Sequence, residues 1–463
     1  MKRRKASITV FLSLILMLVL SVVFSFLEAA RVCGLEAYAK MDAAQTGNSL
    51  LAEYDPALKE KYGILCLDGS YQTDGFQCGL VENRAAFFSD ANLSGKPALG
   101  SRQWELFPLR LSFMNVSRYE LAPDGDGIDF CRQAAEAVRR EGGADLVQEL
   151  YGLVTRKAEK GTWQQTGVKT VKTAAPGESG AEENPLDAVE AMKARGILAL
   201  VMGDQNVSAK KSDLTEVLSH RSLREGNWEV DKSREWDRKL LFQLYLKKYF
   251  SSVRNIKKDR ALDYEMEYII AGKDSDGKNL KAVVNQLLLL REAANVAYLE
   301  TSGDKSQKLQ AAAVLLATAI GQPELTPVMK QSLIAAWAYA ESVSDVRLLL
   351  EGQCVALVKT DAQWHTDLKN LGSSSRKIKQ EKGQDYEDYL QILLWKTSEK
   401  TMTYRCMDLI EMNENVKMDN MILQMECFYT YEADPIFVSF CTIGKAPFKK
   451  YEFTQNRTVS YQQ

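Results

Sequence analysis

The sequence predicts an α+β fold carried on one transmembrane helix. The span continues into an exterior helix, and a mostly helical exterior domain follows, with one antiparallel or mixed sheet formed by N- and C-terminal strands. Three observations predict it. Residues 8–27 carry no charge and follow a stub in which Lys2, Arg3, Arg4 and Lys5 are basic. From 228 to 350 and again from 386 to 412, apolar residues recur at helical spacing. Alternating, β-branched and aromatic stretches concentrate in 106–121 and in the tail after 413.

At about 1.5 Å per residue, 8–27 covers about 30 Å, the hydrocarbon thickness of a bilayer. The basic stub, residues 1–7, places the N-terminus in the cytoplasm and the bulk of the chain outside the cell membrane, single-pass. The apolar run exceeds the roughly 7–15 residues of a signal-peptide core, and Glu28 follows it directly. The nearest Ala-x-Ala, at 37–39, lies too far on for cleavage, so the helix reads as retained. Thr9, Ser13, Ser21 and Ser25 are expected to bond back to their own helix.

Residues 28–61 read as a membrane-proximal helical stalk, rich in alanine and broken at Asp55-Pro56. Glu28 and Arg31 stand one turn apart on it. Either Glu28 pairs with a neighbouring subunit, or the two form an interfacial ion pair worth a fraction of a kcal/mol.

Residues 62–160 form an exterior α/β segment. Its first part is glycine-rich and non-periodic, with β-like pieces at 64–67 and 106–121, the latter beginning just after Pro108. Asp124-Gly125-Asp126-Gly127-Ile128-Asp129 hints at a calcium loop, but Ile128 stands where an oxygen ligand is needed; a turn leading into a helix explains it better. A helix follows, interrupted at Gly142-Gly143. Residues 161–183 read as a linker or mobile loop. Residues 184–412 form a helical subdomain, opened by Asn184-Pro185. Within it 197–202 reads as a short strand, and 311–320 as a buried helix segment too short to span a membrane. Arg291, Glu292 and Glu341 lie on its apolar helices, either as a buried ion pair or at solvated edges. Residues 371–383 are polar and loop-like.

Residues 413–463 carry strands expected at 421–431, 436–443 and 450–460. The strand at 106–121 has too few neighbours nearby, and an isolated hairpin is marginal in water. The C-terminal strands are therefore expected to pair with 106–121 in one sheet.

Lys+Arg number 59 and Asp+Glu 61, for a net charge of −2, so no basic excess points to nucleic acid. Only His220 and His365 are present and no Cys-x-x-Cys occurs, which argues against a zinc site. Cys66 and Cys78 bracket a turn-rich segment with two Asp-Gly pairs and are candidates for a disulfide; Cys427 and Cys441 are also near in sequence. Cys131, Cys354 and Cys406 read as small buried apolar residues. No phosphate-binding loop, dinucleotide fingerprint, metalloprotease helix or nucleophile elbow occurs. The residues therefore indicate no catalytic, cofactor-binding or metal set, and the chain reads as no enzyme.

The run Lys5-Ala6-Ser7-Ile8-Thr9-Val10-Phe11-Leu12-Ser13-Leu14, with Glu28-Ala29-Ala30-Arg31 at its far end, resembles the N-terminus of TadE-like pseudopilins of tight-adherence (Flp-type) pilus loci. Further stretches resemble an uncharacterised family of large exported proteins found beside such genes in Gram-positive bacteria. They are 119–122, 184–187, Leu262-Asp263-Tyr264-Glu265-Met266-Glu267-Tyr268-Ile269, Ala336-Trp337-Ala338-Tyr339-Ala340-Glu341-Ser342 and Asp385-Tyr386-Glu387-Asp388-Tyr389-Leu390. One departure stands out: after a cut behind Ala6, Phe11 would occupy the place where such prepilins carry Glu. The resemblance implies a membrane-anchored, non-catalytic, minor pilin-like component of a surface pilus or secretion system. Its partners would be the lipid bilayer, other pseudopilin-like subunits and pilus assembly proteins. The alternatives are a surface-anchored binding module or adhesin unrelated to pilus assembly and, below that, a membrane-tethered enzyme.

Overall fold

The structure is a computed structural model that describes residues 4–73, 75–94, 107–140, 185–203, 205–231, 233, 237–371, 383–437 and 449–461. Gly142-Gly143, the linker at 161–183, Asn184, most of the 371–383 loop, Cys441 and most of the strand expected at 436–443 lie outside those residues. The fold is α+β, and the chain divides into two compact units.

The first unit comprises residues 1–133, 222–233 and 417–463. Helix α1 (Arg4–Leu51) is unbroken. Among the described residues, Ile8–Leu51 is the one helix long and apolar enough to cross a membrane, with a mean hydropathy of 2.9 in a window of which nothing is buried. Ser13, Ser21 and Ser25 donate to carbonyls of α1 itself at 2.8, 2.9 and 2.8 Å, as expected of hydroxyls in an apolar span. Burial sets in at Glu28, and Leu35, Ala39, Ala43 and Leu50 then form a fully buried stripe. The stretch read as a stalk is therefore one layer of a core.

Asp55 caps α2 (Pro56–Tyr62) by accepting from the Ala57 and Leu58 amides, and Gly63 ends it at φ 68°. Strand β1 (Leu67–Asp68) is followed by α3 (Cys78–Leu93), a helix in the stretch read as non-periodic. Its buried stripe is Val81, Ala85 and Ser89, too small and polar to stand out as an apolar period.

Strand β2 (Arg110–Leu121) starts two residues after Pro108. The long strand β3 (Met421–Ala433) pairs antiparallel with β2 on one side, with β1 and β4 (Tyr451–Ser460) on the other. Val116 faces Cys427, and Phe428 faces Asn456. The described tail strands, β3 and β4, thus share one antiparallel sheet with β2, as expected of 106–121. Met425, Cys427, Tyr429, Tyr431 and Ala433 alternate onto the face that meets the α1 stripe and α3. Gly47 is where Val459 comes close: a Cβ there would lie 2.5 Å from the valine Cγ1.

Residues 222–233, expected within the helical subdomain, belong instead to the sheet unit. Asn227 closes the end of β2, accepting from the Tyr119 amide at 2.8 Å and donating to the Ser117 carbonyl at 2.9 Å.

The second unit comprises 134–221 and 234–416 and is helical. The boundary falls inside α4 (Ile128–Arg140). Among the described residues its further α-helices are α5 (Pro185–Ala194), α6 (Ile197–Met202), α7 (Arg238–Tyr249), α8 (Glu265–Ala271), α9 (Asp276–Thr301), α10 (Gly303–Ala319), α11 (Thr326–Leu350), α12 (Tyr386–Leu394) and α13 (Glu399–Glu414). The short apolar run at 197–202 is thus a helix, not a strand. Leu200, Val201 and Met202 are buried, and a buried run of this length looks alike in either state. α10 and its C-cap Ile320 make up the 311–320 run, but only one face is buried: Ala313 and Ala317 are inside, while Val314, Leu315 and Ile320 are exposed. α11 is buried along most of its second half, with Leu333 and Trp337 against Leu299 of α9 and Leu309 of α10.

Candidate functional site

Glu28 and Arg31 are both buried, and Arg31 Nη1 donates to Glu28 Oε1 at 2.8 Å. What buries them is the chain just past β3. Arg31 Nη2 donates to the Asp434 carbonyl at 2.9 Å, and the Phe437 amide donates to Glu28 Oε2 at 2.8 Å. The Phe437 ring stacks on Phe24 with centroids 6.2 Å apart. The pair therefore fastens the end of β3 to α1, where the charge-free stretch ends. The two side chains are thus buried, and among the described residues the groups that meet Glu28 include Arg31 and the backbone after β3.

Asp42, on the same helix, is a second buried carboxylate. It accepts from Ser89 Oγ at 2.6 Å, Tyr431 Oη at 2.8 Å and Asn92 Nδ2 at 3.1 Å, so it joins α1 to α3 and β3. Burial and the Asp42 charge push the Tyr431 phenol far above its usual range.

The densest polar set lies inside the second unit, and the stretches 262–269, 336–342 and 385–390 all contribute to that unit's polar core. Glu265 accepts from the Ser251 amide at 2.7 Å and from Asn413 Nδ2 at 2.7 Å. Glu267 accepts from Tyr386 Oη at 2.8 Å and the Val253 amide at 3.1 Å; burial pushes its carboxyl up to about 7. Arg291 donates through Nε to Asp345 Oδ2 at 2.9 Å, and through Nη1 to the Ala356 and Leu357 carbonyls, both at 3.0 Å, and to Tyr389 Oη at 3.1 Å. Asn295 Nδ2 donates to Asp345 Oδ2 at 3.1 Å. Glu341 accepts from the His365 amide at 2.9 Å, the Thr366 amide at 2.9 Å and Thr366 Oγ1 at 2.7 Å. Lys359 Nζ contacts both Glu341 Oε1 and Asp345 Oδ1.

Arg291, Lys359, Glu341 and Asp345 are all but inaccessible, with side chains at most 1% exposed. Two cations meet two carboxylates, and such pairing is the condition under which charges tolerate a dry interior. Glu341, Asp345 and His365 bring ligand-type atoms within 4.8 Å of one another. The Lys359 ammonium already touches both carboxylates and Arg291 neutralises Asp345 from the other side, so the donor set fits a charge-balanced ion cluster and not a resident divalent metal. Burial and Lys359 push the His365 imidazole below its ordinary range. Sequence reading picks out Arg291 and Glu341 but gives no sign of Asp345 or Lys359. Glu292 stays outside the cluster, half-buried, with burial raising its carboxyl and the Lys193 charge acting against that.

Cys66 and Cys78 are free thiols, not a disulfide. No hairpin joins them: Cys66 is buried ahead of β1, and Cys78 opens α3. Cys131 and Cys406 are buried as expected, whereas Cys354 is only partly so. The Asp124 carboxylate accepts from the Leu121 amide at 2.7 Å and the Gly226 amide at 3.1 Å, the work of a turn.

Fold and site together define an α+β protein with one N-terminal helix able to cross a membrane and a helical unit organised round a buried ion cluster. Residues 176–434 match the Family of unknown function (DUF5702), and the chain belongs to that family. No curated protein and no solved structure matches the chain.

Proposed function

We propose that the protein is a membrane-anchored, non-catalytic accessory component, minor pilin-like, of a tight-adherence-type surface pilus or secretion system, with its N-terminus cytoplasmic and the bulk of the chain outside. The observation that carries this reading is the unbroken α1. Residues 8–27 of it are charge-free and unburied, and the part after Glu28 is a core layer of the sheet unit. A helix shared in this way holds the sheet at a fixed height above a bilayer, which suits a subunit positioned by its anchor. The N-terminal resemblance to TadE-like pseudopilins supports the same reading. The ionisable groups of the helical unit's core are engaged with one another and with loop amides, as a structural role requires.

The test is affinity purification of the full chain from its native membranes after brief crosslinking, followed by mass spectrometry. Pseudopilin-like single-span proteins and secretion-ATPase partners are the expected companions. Recovery with exported or host-surface ligands and none of these would favour the adhesin reading. Protease protection of the C-terminus on wall-less cells would overturn the orientation.

A further inference from the structure

We infer that Lys359 and Asp345 are a self-processing pair, arranged to close an intramolecular amide between Lys359 Nζ and Asp345 Cγ with Glu341 as the proton relay. The inference stands apart from the pilus reading and rests on how the three side chains are disposed.

Lys359 Nζ lies against Asp345 Oδ1 and Glu341 Oε1 at once. Asp345 presents its two oxygens differently. Oδ2 takes two donors, Arg291 Nε at 2.9 Å and Asn295 Nδ2 at 3.1 Å. Oδ1 faces the lysine and accepts no hydrogen bond from another group among the described residues. Two fixed donors on one carboxylate oxygen are what a tetrahedral intermediate needs for its developing charge, and they leave the other oxygen to depart. Glu341 is itself held by the His365 amide and by the amide and hydroxyl of Thr366, so it cannot swing away from Nζ. The Trp364 ring lies over Lys359 at 5.8 Å and Trp337 packs edge-on to Trp364, which keeps the site dry. Dry, fixed proximity raises the effective concentration of amine and carboxyl far beyond that of free groups.

The step balances without a co-reactant. The Lys359 ammonium passes a proton to Glu341, and the neutral amine attacks Asp345 Cγ, placing negative charge on Oδ2. The nitrogen then gives up a second proton, Oδ1 receives both and leaves as water, and Glu341 returns to carboxylate. Ammonium plus carboxylate become amide plus water. Burial acts to raise the Asp345 carboxyl, but Arg291 and Lys359 outweigh it and hold the group below the ordinary aspartate range. The protons for the leaving oxygen therefore come from the lysine through Glu341. After closure Arg291 and Glu341 remain as one cation and one anion, so the interior stays neutral. The product would tie the chain after α11 back onto that helix with a bond that reduction cannot break.

The experiment is intact-mass measurement and tryptic mapping of the full-length protein extracted from membranes. The expected result is a mass one water below that of the linear sequence and a branched peptide joining Lys359 to Asp345, with no cleavage after Lys359. D345N should lose ammonia instead of water and reach the same final mass as the wild type. K359M should show the unreduced mass. An unshifted wild-type mass, with Lys359 and Asp345 recovered in separate unmodified peptides, overturns the inference, and that reading needs no variant to fold.

Discussion

Replacing Glu28 with Ala tests what the buried pair does. In the wild type, Glu28 accepts from Arg31 Nη1 and from the Phe437 amide, both at 2.8 Å. Arg31, its side chain only 2% exposed, would keep the Asp434 carbonyl and lose the Glu28 carboxylate. Removing the carboxylate from a buried ion pair costs about 3–5 kcal/mol, and the Phe437 amide loses its acceptor on Glu28 as well. Because the groups at risk hold the chain after β3 against α1, the loss should appear first as local opening. Hydrogen exchange on the full protein in detergent micelles should show faster exchange at Phe437 and along the end of β3 towards Ala433. The double variant E28L/R31L removes both charges and should recover most of the protection, since no uncompensated ion remains. Exchange at Phe437 in E28A within about threefold of wild type, under 1 kcal/mol by the usual conversion, would mean that the pair is solvated and the reasoning wrong.

Four further outcomes follow from the same structure. Glu120 is fully buried beside Asp129, and burial first, then Asp129, pushes its carboxyl from 4.5 to about 9. The folded state therefore holds a proton that the unfolded chain releases between those values, so stability falls as pH rises from about 4.5 to 9. E120Q should melt higher than wild type at pH 9, by a margin on the order of a few kcal/mol that shrinks towards pH 5; an equal margin at both would refute the assignment. Cys33 is exposed and Cys66 buried, with burial pushing the Cys66 thiol far up, so maleimide should label Cys33 in the native protein and Cys66 only after unfolding. Non-reducing peptide maps should find Cys66 and Cys78 unlinked. Truncation after residue 416 removes β3, the strand on which β1, β2 and β4 all pair, and should leave 78–121 open to protease; continued resistance there would contradict the sheet.

The parts that were legible in the sequence are those where one physical signal dominates. The long apolar helix is legible because a charge-free run long enough to cross a bilayer stands behind four basic residues, so length and charge give one signal. The closing of the sheet by the tail follows from a deficit: a strand at 106–121 with no local neighbour must find one, and the remaining strand-rich stretch is the tail. Helix α3 was hidden because Val81, Ala85 and Ser89 offer little hydrophobic contrast along the chain. The spacing of Glu28 and Arg31 shows that they can meet, but their burial depends on a segment 403 residues away from Arg31. Lys359 stands between Val358 and Thr360 in a loop, where nothing local separates a solvated lysine from one locked between two carboxylates.

The polar residues of 262–269, 336–342 and 385–390 show why such stretches look like functional motifs. Acidic and aromatic residues recurring in apolar surroundings are expensive to bury, so each must have a partner that offsets the cost. Here the bonds supply those partners. Glu267 and Tyr386 hold each other across the helical unit, as do Arg291 and Tyr389, and Glu341 gathers a lysine and two loop amides. Each stretch is incomplete without a partner distant in sequence, so a chain that lost one would strand a buried charge or hydroxyl elsewhere. Such mutual dependence accounts structurally for these polar residues in apolar surroundings. Within this cluster, Lys359 and Asp345 go further than holding loops in place, because a lysine amine, a carboxyl carbon with one oxygen held by two donors, and a second carboxylate have been brought to one dry point.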